Sequence, residues 1–140
     1  MIESIRTWLR DCPLIDKKDR FNVNFLDADP ICYTVEETPT SPIIKRYLDG
    51  STVREKAFAV ASRDEYGGDV LINIANSGFW EQFSDWVEQQ NKSKNYPQMA
   101  EGQKPMTIEI TTTHYLYEAS ATTARYQLQM KLTYFQKGER

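Results

Sequence analysis

The chain has 140 residues, 17 basic and 20 acidic side chains, a formal charge of −3 and 40% hydrophobic residues, enough to build one core without disulfide or metal support, so a single domain over 1–140 is expected. Its longest apolar runs, such as Val70-Leu71-Ile72, fall far short of the ~20 residues of a spanning helix, and Met1 to Arg6 lacks the basic and apolar regions of an export signal, so the chain is expected to be made in the cytosol. The acidic balance offers no basic footprint for phosphates, which argues against a protein that wraps DNA.

In chain order, Ile2, Ile5, Leu9 and Cys12 share one helical stripe with Trp8 alongside, and Pro13 forbids continuation, so Ile2 to Asp11 reads as a short amphipathic helix. Lys17 to Arg20 is solvated loop. Phe21 to Leu26 alternates Phe21, Val23 and Phe25 with polar residues, as a half-buried strand does. After the acidic turn Asp27-Ala28-Asp29-Pro30, Ile31 to Glu36 is a second extended run, and Pro39 and Pro42 then demand a loop.

Ile43 to Leu48 and Ser51 to Arg63 flank Asp49-Gly50, whose tolerance of positive φ predicts a hairpin with a two-residue turn. In the second arm Phe58 and Val60 take one face and Ala57, Ala59 and Ala61 the other, and a helix is expected against the small-residue face. Tyr66-Gly67-Gly68 breaks the pattern. Asp69 then caps a helix with the stripe Leu71, Ala75, Phe79, Phe83, Trp86 and Val87, with Asn76-Ser77-Gly78 as a site for a kink.

Asn91 to Pro105 is too polar to form a core and reads as a projecting, mobile loop. Thr107 to Tyr117 and Ala124 to Phe135 alternate cleanly and form a second long hairpin across Glu118 to Thr123. The whole predicts an α+β fold: a mainly antiparallel sheet built from two long hairpins, with the N-terminal helix and a longer central helix on one face.

Residues that carry chemistry are scarce. Cys12 and Cys32 are too few and too irregularly spaced for a disulfide framework or a four-ligand zinc site, and read as reduced, buried thiols. The single histidine, His114, is either a general base or a hydrogen-bonded sheet residue, and its threonine-rich neighbours favour the second. No G-x-S-x-G elbow, G-x-x-x-x-G-K loop or G-x-G-x-x-G turn occurs. Asp27 and Asp29 could share a hard cation, but no third acid is placed nearby, so a solvated turn is the expectation. Gly67-Gly68 could cradle an anion at a helix start, yet Asp69 would repel it. No catalytic, metal-binding or cofactor-binding residue is therefore assigned, and no cofactor is expected.

One aromatic lies off its stripe. Trp80 falls about 120° from the centre of the line through Ala75, Phe79, Phe83 and Trp86, at about 100° per residue, on the polar face. Tyr115 and Tyr117 likewise fall on the polar face of their strand. These three, with Tyr47, Asp49 and Gly50 at the first hairpin, are the candidate contacts for a subunit or partner, because large amphipathic side chains dominate interface energetics.

The run Asp49-Gly50-Ser51-Thr52, Phe58-Ala59-Val60-Ala61-Ser62-Arg63, Ile74-Ala75-Asn76-Ser77-Gly78-Phe79 and Ala124-Arg125-Tyr126-Gln127-Leu128, with Ile5, Arg6, Trp8 and Leu9 before it, resembles the small tail terminator, or minor capsid, proteins of tailed bacteriophages and prophages of Gram-positive bacteria. The resemblance implies an α+β subunit that assembles as a homo-oligomeric ring, commonly a hexamer, on the head-proximal end of the tail tube. Its implied partners are the tail tube protein, the neck or connector protein and, in a contractile tail, the sheath. Genomic DNA would pass through the lumen without specific binding. The implied location is the neck-proximal end of the virion tail, after assembly in the host cytoplasm. A head–tail connector or neck subunit of the same particle is the alternative, and a small cytosolic enzyme the alternative of another class.

Overall fold

A computed structural model describes residues 1–138. It consists of α1 (Ile2–Arg10), β1 (Arg20–Val23), β2 (Cys32–Glu37), β3 (Ile43–Arg46), β4 (Thr52–Glu65), α2 (Val70–Ser93), β5 (Gln103–Ala119) and β6 (Thr123–Gln136). The strands form one six-stranded sheet in the order β1-β2-β4-β6-β5, with β3 also pairing β4. Every pairing is antiparallel except β1 with β2. The α+β fold read from the sequence is the fold observed. Among the described residues no helix is long and apolar enough to cross a membrane.

The sheet separates two unlike faces. Phe58 and Val60 of β4 sit opposite Met130 and Leu128 of β6, and these side chains meet Ile5, Trp8 and Leu9 of α1 and Trp80, Phe83 and Val87 of α2 in one continuous core. Both helices therefore cover the large-residue face. This corrects the expectation of a helix over Ala57, Ala59 and Ala61. Ala61 is fully buried all the same, because the segment after β1 folds back across this side of the sheet. There the Phe25 amide donates to Thr34 Oγ1 at 3.3 Å, and Arg63 Nε donates to the Asp27 carbonyl at 3.3 Å.

Two local readings change. The first hairpin is real, but its loop spans Tyr47 to Ser51: the Gly50 amide donates to the Tyr47 carbonyl at 3.1 Å and the Tyr47 amide to the Ser51 carbonyl at 2.9 Å. Only Gly50 takes the left-handed region, at φ +90°. The tighter turn would need both central residues there. The second change is at Asn91 to Pro105, which does not project. Helix α2 continues to Ser93 and ends on Lys94 at φ 56°, Trp8 Nε1 donates to the Asn95 carbonyl at 2.9 Å, and Pro97 is buried. The indole of α1 thus ties this segment to the core, and β5 starts earlier than its alternation indicates.

Asp69 caps α2 as expected, its side chain accepting from the Leu71 amide at 2.9 Å. The helix then runs unbroken through Asn76-Ser77-Gly78.

Candidate interaction surfaces

Trp80 is a core residue, not the surface contact that its place on the helical wheel suggests. It is 0% exposed, meeting Phe83 edge-on with ring centroids 5.5 Å apart and lying 6.5 Å from the His114 ring at 12°. It belongs to the core and leaves the set of candidate contacts. The buried line of α2 is Trp80, Phe83 and Val87, turned roughly 80° from the line drawn through its apolar residues, at about 100° per residue. Two amides explain the rotation. Asn73 Nδ2 donates to the Gly67 carbonyl at 2.9 Å and Asn76 Nδ2 to the Glu65 carbonyl at 2.8 Å, so the first turns of the helix present asparagine inward, anchored to the end of β4. Their apolar neighbours then face outward: Leu71 is 76% exposed and Ile74 60%, with Val70 beside them.

Tyr115 and Tyr117 lie on the sheet face away from the helices, as expected, but both are engaged within the chain. Gln127 Nε2 donates to the Tyr115 hydroxyl, and the Arg125 guanidinium sits 4.9 Å from the centre of the Tyr117 ring. Arg125 also pairs with Glu36, Arg63 with Glu118 at 3.2 Å, and Lys131 with Glu55 at 3.3 Å and Glu109 at 3.5 Å. The hydrogen bond from Lys131 to Glu55, and the charge behind it, raises the ammonium pKa. This face is a lattice of paired charges with a partly open tyrosine pair at one end.

Tyr47, Asp49 and Gly50 form the tip of the β3–β4 hairpin, as expected. Asp49 Oδ1 accepts from the Ser51 amide at 2.9 Å, and this backbone hydrogen bond lowers its carboxyl pKa. Tyr47 leans on Phe135, with centroids 6.3 Å apart, and carries Lys45 5.1 Å over its ring. Leu48, which the sequence reading left out, is 100% exposed, with Ile44 half in solvent nearby.

The chain's candidate chemical groups are placed as follows. Both thiols are free and buried, and burial pushes each pKa up, the opposite of what a reactive thiolate needs. His114 is half-buried on β5, on the helix side of the sheet. Asp27 pairs with Arg20 at 3.0 Å, and among the described residues no three His, Cys, Asp or Glu side chains converge as metal ligands do. A cleft of about 640 Å³ opens beside Gly67 and Gly68, lined by Pro30, Tyr66 and Ile72 among others, and it carries the Asp29, Glu65 and Asp69 carboxylates, a setting that repels anions.

The residues that sequence reasoning missed as surface are Leu48, Leu71 and Ile74. No local pattern marked the last two, because Asn73 and Asn76 can face inward only where the folded chain brings the Gly67 and Glu65 carbonyls to their amides. No family model and no curated protein matches this chain.

Proposed function

We propose that this protein is a structural virion protein, a tail terminator that assembles as a ring, commonly of six copies, on the head-proximal end of a phage tail tube. The ring stops tube growth and offers the neck a docking surface. The observation that carries this reading is the outward turn of Leu71 and Ile74 at the start of α2, where a monomer leaves large apolar side chains in water. Two further features support it. β5, a strand of 17 residues, forms an edge of the sheet, a surface suited to contact with another subunit. The charged sheet face is neutralised within the chain, and the net charge of −3 suits a channel through which DNA passes without adhering. The resemblance over most of the chain selects the tail end among ring-forming roles.

The test is tube polymerisation. The tail tube protein is polymerised alone and with increasing amounts of this protein, and tube lengths are measured by electron microscopy. Tubes should shorten with dose, and this protein should sediment with them at one ring per capped end. Tubes of unchanged length overturn the terminator reading, and binding to isolated heads in place of tubes assigns the chain to the connector.

A further inference from the structure

Two of the apolar surfaces that the described residues expose differ in charge. At the hairpin tip, Ile44 and Leu48 are accompanied by Lys45 and Arg46, all exposed. On α2, Leu71 and Ile74 continue along the outward face into Glu81 and Asp85, also exposed. None of these four charged groups forms an ion pair among the described residues. The surfaces lie at opposite ends of the molecule. β4 runs 14 residues from Thr52, next to the tip, to Glu65, just before α2, a span of about 45 Å at ~3.3 Å per residue.

We infer that the β3–β4 hairpin tip of one copy docks on the first turns of α2 of the next copy, Leu48 and Ile44 against Leu71 and Ile74, with Lys45 and Arg46 against Glu81 and Asp85. The inference rests on the ring reading above for its closure and names the contact from which the ring is made. Symmetric alternatives are disfavoured by charge: tip on tip sets Lys45 and Arg46 against their own copies with only the Asp49 carboxylate to offset them, and helix on helix sets Glu81 and Asp85 against theirs, while the head-to-tail contact brings the net positive tip to the acidic helix face. A contact between unlike surfaces at opposite ends propagates, and closes only when its rotation divides the circle.

Two local features equip the parts for docking. Gly78 lies on the same outward line of α2, and a Cβ there would meet nothing within 4 Å, so the helix has a shallow notch between Ile74 and the acids into which an apolar side chain can settle. The tip is braced from behind. The Gly138 amide donates to Ser51 Oγ at 3.1 Å, and a Cβ on Gly138 would stand 2.6 Å from the Gly50 carbonyl carbon and 2.7 Å from the Asp49 oxygen. Chain crosses chain there at a distance only glycine allows, which holds the tip in shape before any partner arrives. The contact is small beside the roughly 20–30 residues per side of a standard interface, so single contacts are weak and copies join where the tube holds them together.

Cross-linking tests the pairing directly, because the native thiols are buried. Leu48→Cys and Ile74→Cys are made separately and mixed at high concentration under mild oxidation by diamide. The mixture should give a cross-linked dimer at least several-fold above either variant alone, and the double variant should give a ladder that ends at the ring number. Adding Lys45→Glu and Arg46→Glu to the Leu48→Cys chain should abolish the cross-link, and Glu81→Lys with Asp85→Lys in the partner should restore it. All these positions are exposed, so thermal transitions should stay put and report that each variant is folded. A mixture no more cross-linked than its components overturns the pairing. The two proposals fail separately: a ladder without arrest of tube growth removes the terminator and keeps the contact, and arrested tubes without a ladder do the reverse.

Discussion

Replacing Trp80 with alanine separates a core role from an interface role, and the structure sets the size of the effect. The indole is wholly buried, wedged among Phe79, Phe83 and the His114 ring. Emptying such a site costs about 3–5 kcal/mol, from lost transfer energy and the void left behind. One term works the other way. Trp80 Nε1 is buried without a hydrogen-bond partner, a native penalty of about 1 kcal/mol that disappears with the ring. The net loss is then about 2–4 kcal/mol, which at roughly 3–4 °C per kcal/mol for a chain of this size lowers the thermal midpoint by about 6–16 °C. Trp80→Phe keeps an aromatic body and removes the unpartnered N–H, so it should cost clearly less than alanine. Circular dichroism followed through thermal and urea unfolding measures both. A Trp80→Ala midpoint within ~0.5 kcal/mol of the parent, the range of surface sites, would mean that the helix is rotated from the position described and would remove Leu71 and Ile74 from the surface with it.

Three further outcomes follow from named contacts. Asp69→Ala removes the side-chain cap on α2 and should cost about 1 kcal/mol, read as a lowered urea midpoint with unchanged slope; no change would show that the Leu71 amide is satisfied otherwise. Asp64 is half-buried with Ser62 Oγ 2.5 Å away, and burial raises its carboxyl pKa from 3.8. The folded state therefore holds this proton more tightly than the unfolded one, and stability falls as pH climbs from the unfolded value through the folded one. Asp64→Asn should match the parent at low pH and exceed it increasingly toward neutrality, and a difference that shrinks as pH rises contradicts the burial argument. Gly138→Ala should loosen the hairpin tip, seen as faster amide exchange around Ser51 with little change in global unfolding, whereas unchanged exchange would show that the terminal segment does not brace the tip.

Much of the fold was legible because its periodicities are long and uninterrupted. β6 alternates from Tyr126 to Tyr134 with every inward residue apolar, and one face of a sheet buried on helices demands that alternation. Asp69 marked the start of α2 because its side chain satisfies a backbone donor that the helix itself cannot. The phase of α2 was not legible. Leu71 and Ala75 drew the apparent stripe toward the wrong side, while the true inward positions there are Asn73 and Asn76, whose amides donate to carbonyls at Gly67 and Glu65 brought close only by the folded chain. Exposed apolar residues such as Leu71 and Ile74 imitate core residues in sequence, and only the folded chain tells them apart.

The same physics explains the other departures. The polar stretch after α2 looked free because its anchors are single long-range bonds, such as Trp8 Nε1 to Asn95, that no local pattern reveals. The parallel pairing of β1 with β2 was hidden because only eight residues join them, fewer than a parallel crossover ordinarily needs; here the link folds across the sheet face and is fixed by Asn24 and Glu37, the Glu37 amide donating to Asn24 Oδ1 at 2.9 Å. Tyr115 and Tyr117 were placed on the correct face, and what the sequence did not reveal is that Gln127 and Arg125 already engage them. That leaves the tyrosine pair a weaker candidate for contact than the apolar start of α2.

The most direct measurement of the central claim is the position of the protein in the assembled particle. Gold-labelled antibody against this chain, applied to intact virions and viewed by electron microscopy, should mark one site per particle, at the junction of tail and head. Labels distributed along the tail, gathered at its distal tip, or absent from purified particles would contradict the assignment of this protein as a tail terminator.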